Sequence, residues 1–293
     1  MKKLDYPLYN FEDVLSSCAE GMNQPNAKTI FQSTIPHFID LGLRYEKLIE
    51  NGELYNFPQI ENLKNTTVVV PPLTKSKLVN LYKNNLRNKE KPARSIYESL
   101  LASANEKCPF CGDIGRPKNL DHFLPLAHYP QFSVMPVNLV PACRDCNMGE
   151  KGDDIANQAE DQILHPYLDK DIFYNQQWVH ARYINEGSGA VEYYVQPPVD
   201  WHGIDIARVN KHFSDFDLAR RYGIEAGKHL SELIDQRNSF YKAMAKKIPL
   251  NELTESLVEV LFTPIIEADT FANHWKKVMY VGLSMSQEFL APP

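Results

Sequence analysis

"CPFCGDIGRPKNLDHFLPLAHYPQFSVMPVNLVPACRDCNMGEKG", residues 108–152, holds four cysteines in two Cys-x-x-Cys knuckles, Cys108 with Cys111 and Cys143 with Cys146. A short loop of this kind aims two thiolates at one ion, so the pair predicts a tetrahedral four-cysteine zinc site with no open coordination position. The rival reading is a redox dithiol, but thioredoxin-like motifs do not normally come in pairs. The interval between the knuckles exceeds the about 15–20 residues usual for zinc ribbons. That surplus contains "LDHFLPLAHYP" (120–130), where Asp121 stands directly against His122 in an apolar, proline-bounded run. A buried, mutually satisfied pair is one reading; a metal ligand beside a catalytic base is the other.

Asp121-His122, then Asn138-Leu139, then Cys143-x-x-Cys146-Asn147, and finally Lys151-Gly152 resembles the HNH endonuclease signature. The resemblance implies a ββα-metal core, in which a two-stranded hairpin and a helix hold one divalent ion and the cysteine knuckles brace the core with zinc. It assigns His122 as general base, Asp121 and the side-chain oxygen of Asn147 as ligands of the catalytic ion, and Asn138 as the residue that holds the base in place. Lys151 matches a basic position that contacts phosphate. The chemistry suits these types: an imidazole with an ordinary pKa near 6.5 accepts a proton at neutral pH. Oxygen ligands favour a hard ion, so the expected catalytic metal is Mg²⁺ or Mn²⁺. Adjacent side chains of an extended strand point to opposite faces, so placing ligand and base side by side needs a strand end or a distortion, with which Pro125 is compatible.

The other residues set the surroundings. Hydrophobic content of 43% and charged content of 23% describe an ordinary soluble chain of 293 residues, with no apolar run long enough for a membrane span. The start, "MKKLDYPLYNFEDV", has lysines but no apolar block after them, so the expectation is a cytoplasmic protein without a secretion signal. Cys18, in "FEDVLSSCAEGM", falls at helical spacing with Phe11, Val14, Leu15 and Met22 and reads as a core residue. His128 reads as a loop residue and His165, in "LHPY", as one packed against the core or the hairpin.

Three regions are expected in a mixed α+β fold: a helical region over 1–100, a zinc-braced HNH core over 101–165, and a β-hairpin with C-terminal helices over 166–293. Within them, "KSKLVNLYKNNLRN" reads as a helix capped by Thr74, and "DDIANQAEDQIL" as a helix capped by Asp153 or Asp154. "WVHARYI" and "AVEYYVQ" read as a hairpin turning through "NEGSG".

The net charge of −6 excludes nucleic-acid binding by bulk charge, so any DNA contact must be local. Residues 75–94 supply it: Lys83, Arg87 and Lys89 belong to a basic run broken by one acid, Glu90. A solvated helix face is the plain alternative. The layout also resembles HNH effectors of bacterial anti-phage systems of the Septu and retron type, some of which work with an ATPase subunit. The reading that follows is a DNA endonuclease. Its rivals are a catalytically silent zinc-containing nucleic-acid-binding module, an RNA-cleaving enzyme, and a toxin nuclease held silent until a partner arrives.

Overall fold

A computed structural model describes residues 1–60 and 63–293. It is a mixed α+β protein with small two-stranded sheets, divided into two compact units. The first unit comprises residues 3–110 and 115–170; the second gathers residues 1–2, 111–114 and 171–293. Among the described residues no helix is long and apolar enough to cross a membrane.

The first unit begins with α1 (Phe11–Glu20), opened by a capping box in which Asn10 accepts from the Asp13 amide and Asp13 from the Asn10 amide. Its buried stripe of Phe11, Val14, Leu15 and Cys18 is the one that the helical spacing predicts. Cys18 is fully buried, and burial pushes its thiol up to about 12, as suits an inert core residue. Helix α2 (Pro25–Glu50) starts with Pro25 in its first turn and buries Phe31, Phe38, Tyr45 and Ile49. The two helices pack so closely that a Cβ on Gly42 would sit 2.9 Å from the Phe11 ring.

Strands β1 (Val68–Val70) and β2 (Leu73–Thr74) form a small antiparallel pair. Thr74 then caps α3 (Lys75–Asn80), whose turns widen into a π-helical segment over Leu81–Leu86, and α4 (Arg94–Ala102) follows. Strands β3 (Asn119–His122) and β4 (Leu139–Ala142) pair antiparallel, with Asp121 opposite Val140 and His122 opposite Leu139. Every residue of β4 is buried, which is why "LVPA" lacks the alternation of a half-exposed strand. A short π-helical segment, Asp145–Lys151, completes this part of the unit.

The helix expected over 153–164 is absent; only a single 3₁₀ turn, Ala159–Asp161, forms there. No residue from Gly152 to Asp161 is buried, and without an apolar face to pack, so short a helix has nothing to offset its nucleation. Gln162 and Leu164 are buried directly afterwards, with Gln162 Oε1 accepting from the Tyr55 amide at 2.9 Å.

In the second unit, α5 (Ile172–Asn175) leads to the hairpin of β5 (Val179–Ile184) and β6 (Ala190–Val195), paired end to end through the "NEGSG" turn. Gly187 and Gly189 in that turn have positive φ, the conformation that favours glycine. Helices α6 (Gly203–Asp215) and α7 (Leu218–Met244) follow, separated at Asp217, whose φ of 48° breaks what would otherwise be one helix. The chain ends with α8 (Leu250–Leu257), α9 (Thr263–Ile266), α10 (Trp275–Ser284) and α11 (Gln287–Leu290). Helix α10 lies against β5 so closely that a Cβ on Gly282 would collide with the Ala181 carbonyl. Asn273 fastens the strand's start, its Oδ1 accepting from the amides of Trp178 (2.8 Å) and Val179 (2.9 Å).

Candidate active site and metal centre

The four knuckle sulfurs all lie within 4.8 Å of one another, and all four cysteines are buried and free of disulfides. A tetrahedron with Zn–S bonds of about 2.3 Å has edges of about 3.8 Å, so the cluster fits zinc with little adjustment. Local backbone geometry shapes the first knuckle: Cys108 N donates to Gly115 O at 2.9 Å, and Gly112 takes a φ of +58° at the bend. The Cys143 amide points at Cys108 Sγ at 3.4 Å, a contact that favours a thiolate over a thiol. Four thiolates on one ion leave no site for substrate, so a zinc ion held here would brace the fold.

Next to this brace, β3 ends on Asp121 and His122, which are 7% and 8% exposed. The His122 ring stands edge-on to Tyr82 of the π-helical segment, centroids 4.6 Å apart, and its Nε2 lies 2.9 Å from the Ser133 carbonyl oxygen. A carbonyl only accepts, so Nε2 carries the proton and Nδ1 is the basic nitrogen. Burial lowers the His122 pKa to about 4; the Ser133 contact opposes that shift and the Lys151 charge adds to it. The imidazole is therefore neutral at pH 7.

Burial acts oppositely on Asp121, raising its carboxyl pKa against the pull of Lys151. Lys151 Nζ sits 3.2 Å from Asp121 Oδ2 and donates to the His122 carbonyl at 2.8 Å. The ammonium is close enough to Oδ2 for ion pairing, so the buried carboxylate has a positive charge directly against it. Lys151 itself is buried, with its charge turned onto Asp121 and not outward. Asn147 follows directly on Cys146, so the second knuckle fixes its position; its Nδ2 donates to Asn119 Oδ1 at 3.1 Å, at the start of β3.

Asn138 is fully buried and uses its whole hydrogen-bonding capacity. Its Oδ1 accepts from Leu124 N (2.7 Å) and Tyr45 Oη (3.1 Å), and its Nδ2 donates to Leu124 O (3.3 Å) and Phe132 O (3.2 Å). It thus ties both ends of the loop that carries Ser133. Behind it stands a relay that the sequence did not announce. His165 Nδ1 accepts from the amides of Tyr167 and Leu168, each at 3.3 Å, which places the proton on Nε2. Nε2 then donates to Tyr45 Oη at 3.2 Å, and the Tyr45 hydroxyl donates to Asn138. His165 also packs on Phe123, centroids 4.3 Å apart, so its expected place in the core holds.

Tyr45→Phe is expected to cost about 1–2 kcal/mol, because it removes the hydroxyl that links His165 to Asn138. Asn138→Ala should cost more, since the Leu124 amide and carbonyl both lose their partner inside the protein. Urea denaturation of both variants checks the order; equal stabilities would mean that water satisfies the loop.

Of the basic run, Lys75, Lys91 and Arg94 donate to backbone carbonyls of Ala127, Gly21 and Arg87, each at 2.6 Å. Lys83, Arg87 and Lys89 are exposed, and the Arg87 guanidinium lies 5.9 Å from the ring centroid of Tyr82, the residue that packs on His122. His128 is exposed, in keeping with a loop residue.

Comparison with known proteins adds a relationship over the full length. The chain is 48% identical over 292 residues to "Protein ea31" of Escherichia phage lambda, covering 99% of each chain. It belongs to the ea31 family. This ea31-family chain is also 33% identical over 75 residues to "Septu protein PtuB" of Bacillus thuringiensis, a match covering 24% of this chain and 28% of PtuB. No family profile matches, and no solved structure does.

Proposed function

We propose that this ea31-family chain is a metal-dependent endonuclease of the HNH type, hydrolysing phosphodiester bonds of DNA. One observation carries the reading: His122 has its Nε2 committed to the Ser133 carbonyl, beside a buried carboxylate oxygen, Asp121 Oδ2, whose charge faces the Lys151 ammonium at 3.2 Å. The antiparallel pair β3–β4 followed by the segment Asp145–Lys151 has the chain order of a ββα-metal core.

In this reading the Asp121 carboxylate and the Asn147 side-chain oxygen, whose nitrogen is turned to Asn119, would hold one Mg²⁺ or Mn²⁺. Such an ion, when bound, would neutralise charge on the phosphoryl and leaving oxygens. His122 Nδ1 takes the proton of the attacking water as its oxygen forms the new bond to phosphorus, and the bond from phosphorus to the leaving oxygen breaks. Asn138 keeps the base aimed through the loop it fastens. Lys83, Arg87 and Lys89 offer phosphate contacts on an otherwise acidic chain. The partial likeness to PtuB supports a role in bacterial defence; an ATPase or other subunit as partner is what the resemblance to Septu and retron effectors implies.

A second reading has its own support. Lys151 already places a positive charge against Asp121, and an ammonium that stays there leaves a divalent ion no anionic ligand. The chain would then be a silent zinc-containing module. Incubating purified protein with plasmid DNA and with RNA, in Mg²⁺ or Mn²⁺, separates the two. We expect metal-dependent nicking or linearisation of DNA; intact plasmid at every metal concentration would favour the silent module, and degradation of RNA alone would reassign the substrate.

A further inference from the structure

Helix α3 and its π-helical extension present a second feature away from His122. A cavity of about 680 Å³ is lined by buried Phe31, Leu73 and Leu78, with exposed Lys77, Asn80 and Asn84 among its polar residues. Its size is in the range that takes a small organic molecule. The lining is apolar within and amide-rich outside, and among the described residues no protein hydrogen bond occupies the side chains of Asn80 or Asn84. An asparagine amide offers one donor and one acceptor side by side, the pattern that pairs with a base edge. A flat heterocycle seated on the apolar lining would leave its polar edge to these amides.

The position along the chain strengthens this. Tyr82, which packs against His122, lies between Asn80 and Asn84 on the same helical segment. Cavity and candidate base therefore flank one helical segment, and a helix with its side chains is about 10–12 Å across. Exposed Lys83 and Arg87 lie on the same stretch, where the phosphates of a strand joining the two would pass.

We propose that this cavity is a nucleobase subsite, taking one base of a nucleic-acid strand held near His122. The proposal rests on the nuclease reading for its substrate class, but it is tested by binding. The protein used is the full-length His122→Ala chain, and the probes are fluorescently labelled homopolymer oligonucleotides of each base. Asn80→Leu/Asn84→Leu should lower affinity for the preferred homopolymer about tenfold, the loss of one good base contact, and flatten the preference among bases. The log–log salt slope should stay unchanged. Lys83→Glu/Arg87→Glu should instead reduce that slope by about 0.7 per lost phosphate contact on single strands and leave the preference among bases in place. Melting curves confirm that these exposed substitutions leave the fold intact. Unaltered affinity and preference in the asparagine variant overturn the subsite, even if the wild-type chain cleaves DNA. A base preference lost in that variant, from a wild-type chain that cleaves nothing, sustains the subsite and overturns only the nuclease reading.

Discussion

His122→Ala is expected to slow metal-dependent cleavage by roughly 100- to 10,000-fold, the usual contribution of a general base. The ring is buried against Tyr82 and bonded to the Ser133 carbonyl, so the variant also loses packing, and rates must be compared per folded molecule. The diagnostic lies in the metal titration. Asp121→Ala and Asn147→Ala remove ligands of the catalytic ion, so higher Mg²⁺ or Mn²⁺ should partly restore their rates. Extra metal should not restore His122→Ala, because what is missing there is the acceptor of a proton. If the Asp121–His122 pair were only structural, all cleavage lost in these variants would track their melting temperatures. Full activity per folded molecule in His122→Ala would end the HNH mechanism for this chain.

The second large effect concerns zinc. Cys108→Ser or Cys146→Ser should abolish tight binding of one ion per chain and unfold the structure around the knuckles. Structural zinc in small domains contributes about 10–16 kcal/mol of apparent binding energy at pH 7, and that energy is available only to the folded form. Elemental analysis beside circular dichroism checks both halves of the claim. Cys18→Ala is the control: it lies in the α1 core, outside the cluster, and should keep its zinc while losing only packing. Well-folded wild-type protein without zinc would refute the assignment.

How far the sequence could be read depended on the range of the interactions. Helices α1, α2 and α3 were legible because their signals are local: apolar residues three and four apart, and for α3 the Thr74 cap. The β5–β6 hairpin was legible from alternation and a glycine-containing turn. Segment 153–164 misled because capping residues mark where a helix can start, whereas its persistence depends on a buried face that this stretch lacks. In the candidate site, the cysteine cluster came from spacing, and Asp121, His122, Asn138 and Asn147 from a motif. Tyr45, Tyr82, Ser133 and His165 did not, since they reach the site from distant elements and no periodicity connects them to it. Lys151 was picked out, but its burial against Asp121 is a tertiary outcome that a single letter cannot carry.

The second unit is spliced together from residues 1–2, 111–114 and 171–293, with the first unit's chain running between them. This has a consequence for inheritance. A recombination event with one crossover near residue 170 would deliver the C-terminal stretch without residues 1–2 and 111–114, which belong to the same unit. Such chimaeras are expected to be lost, so the two units should descend together along lineages. The 48% identity shared with the phage lambda protein across 99% of both chains is the pattern such joint descent leaves.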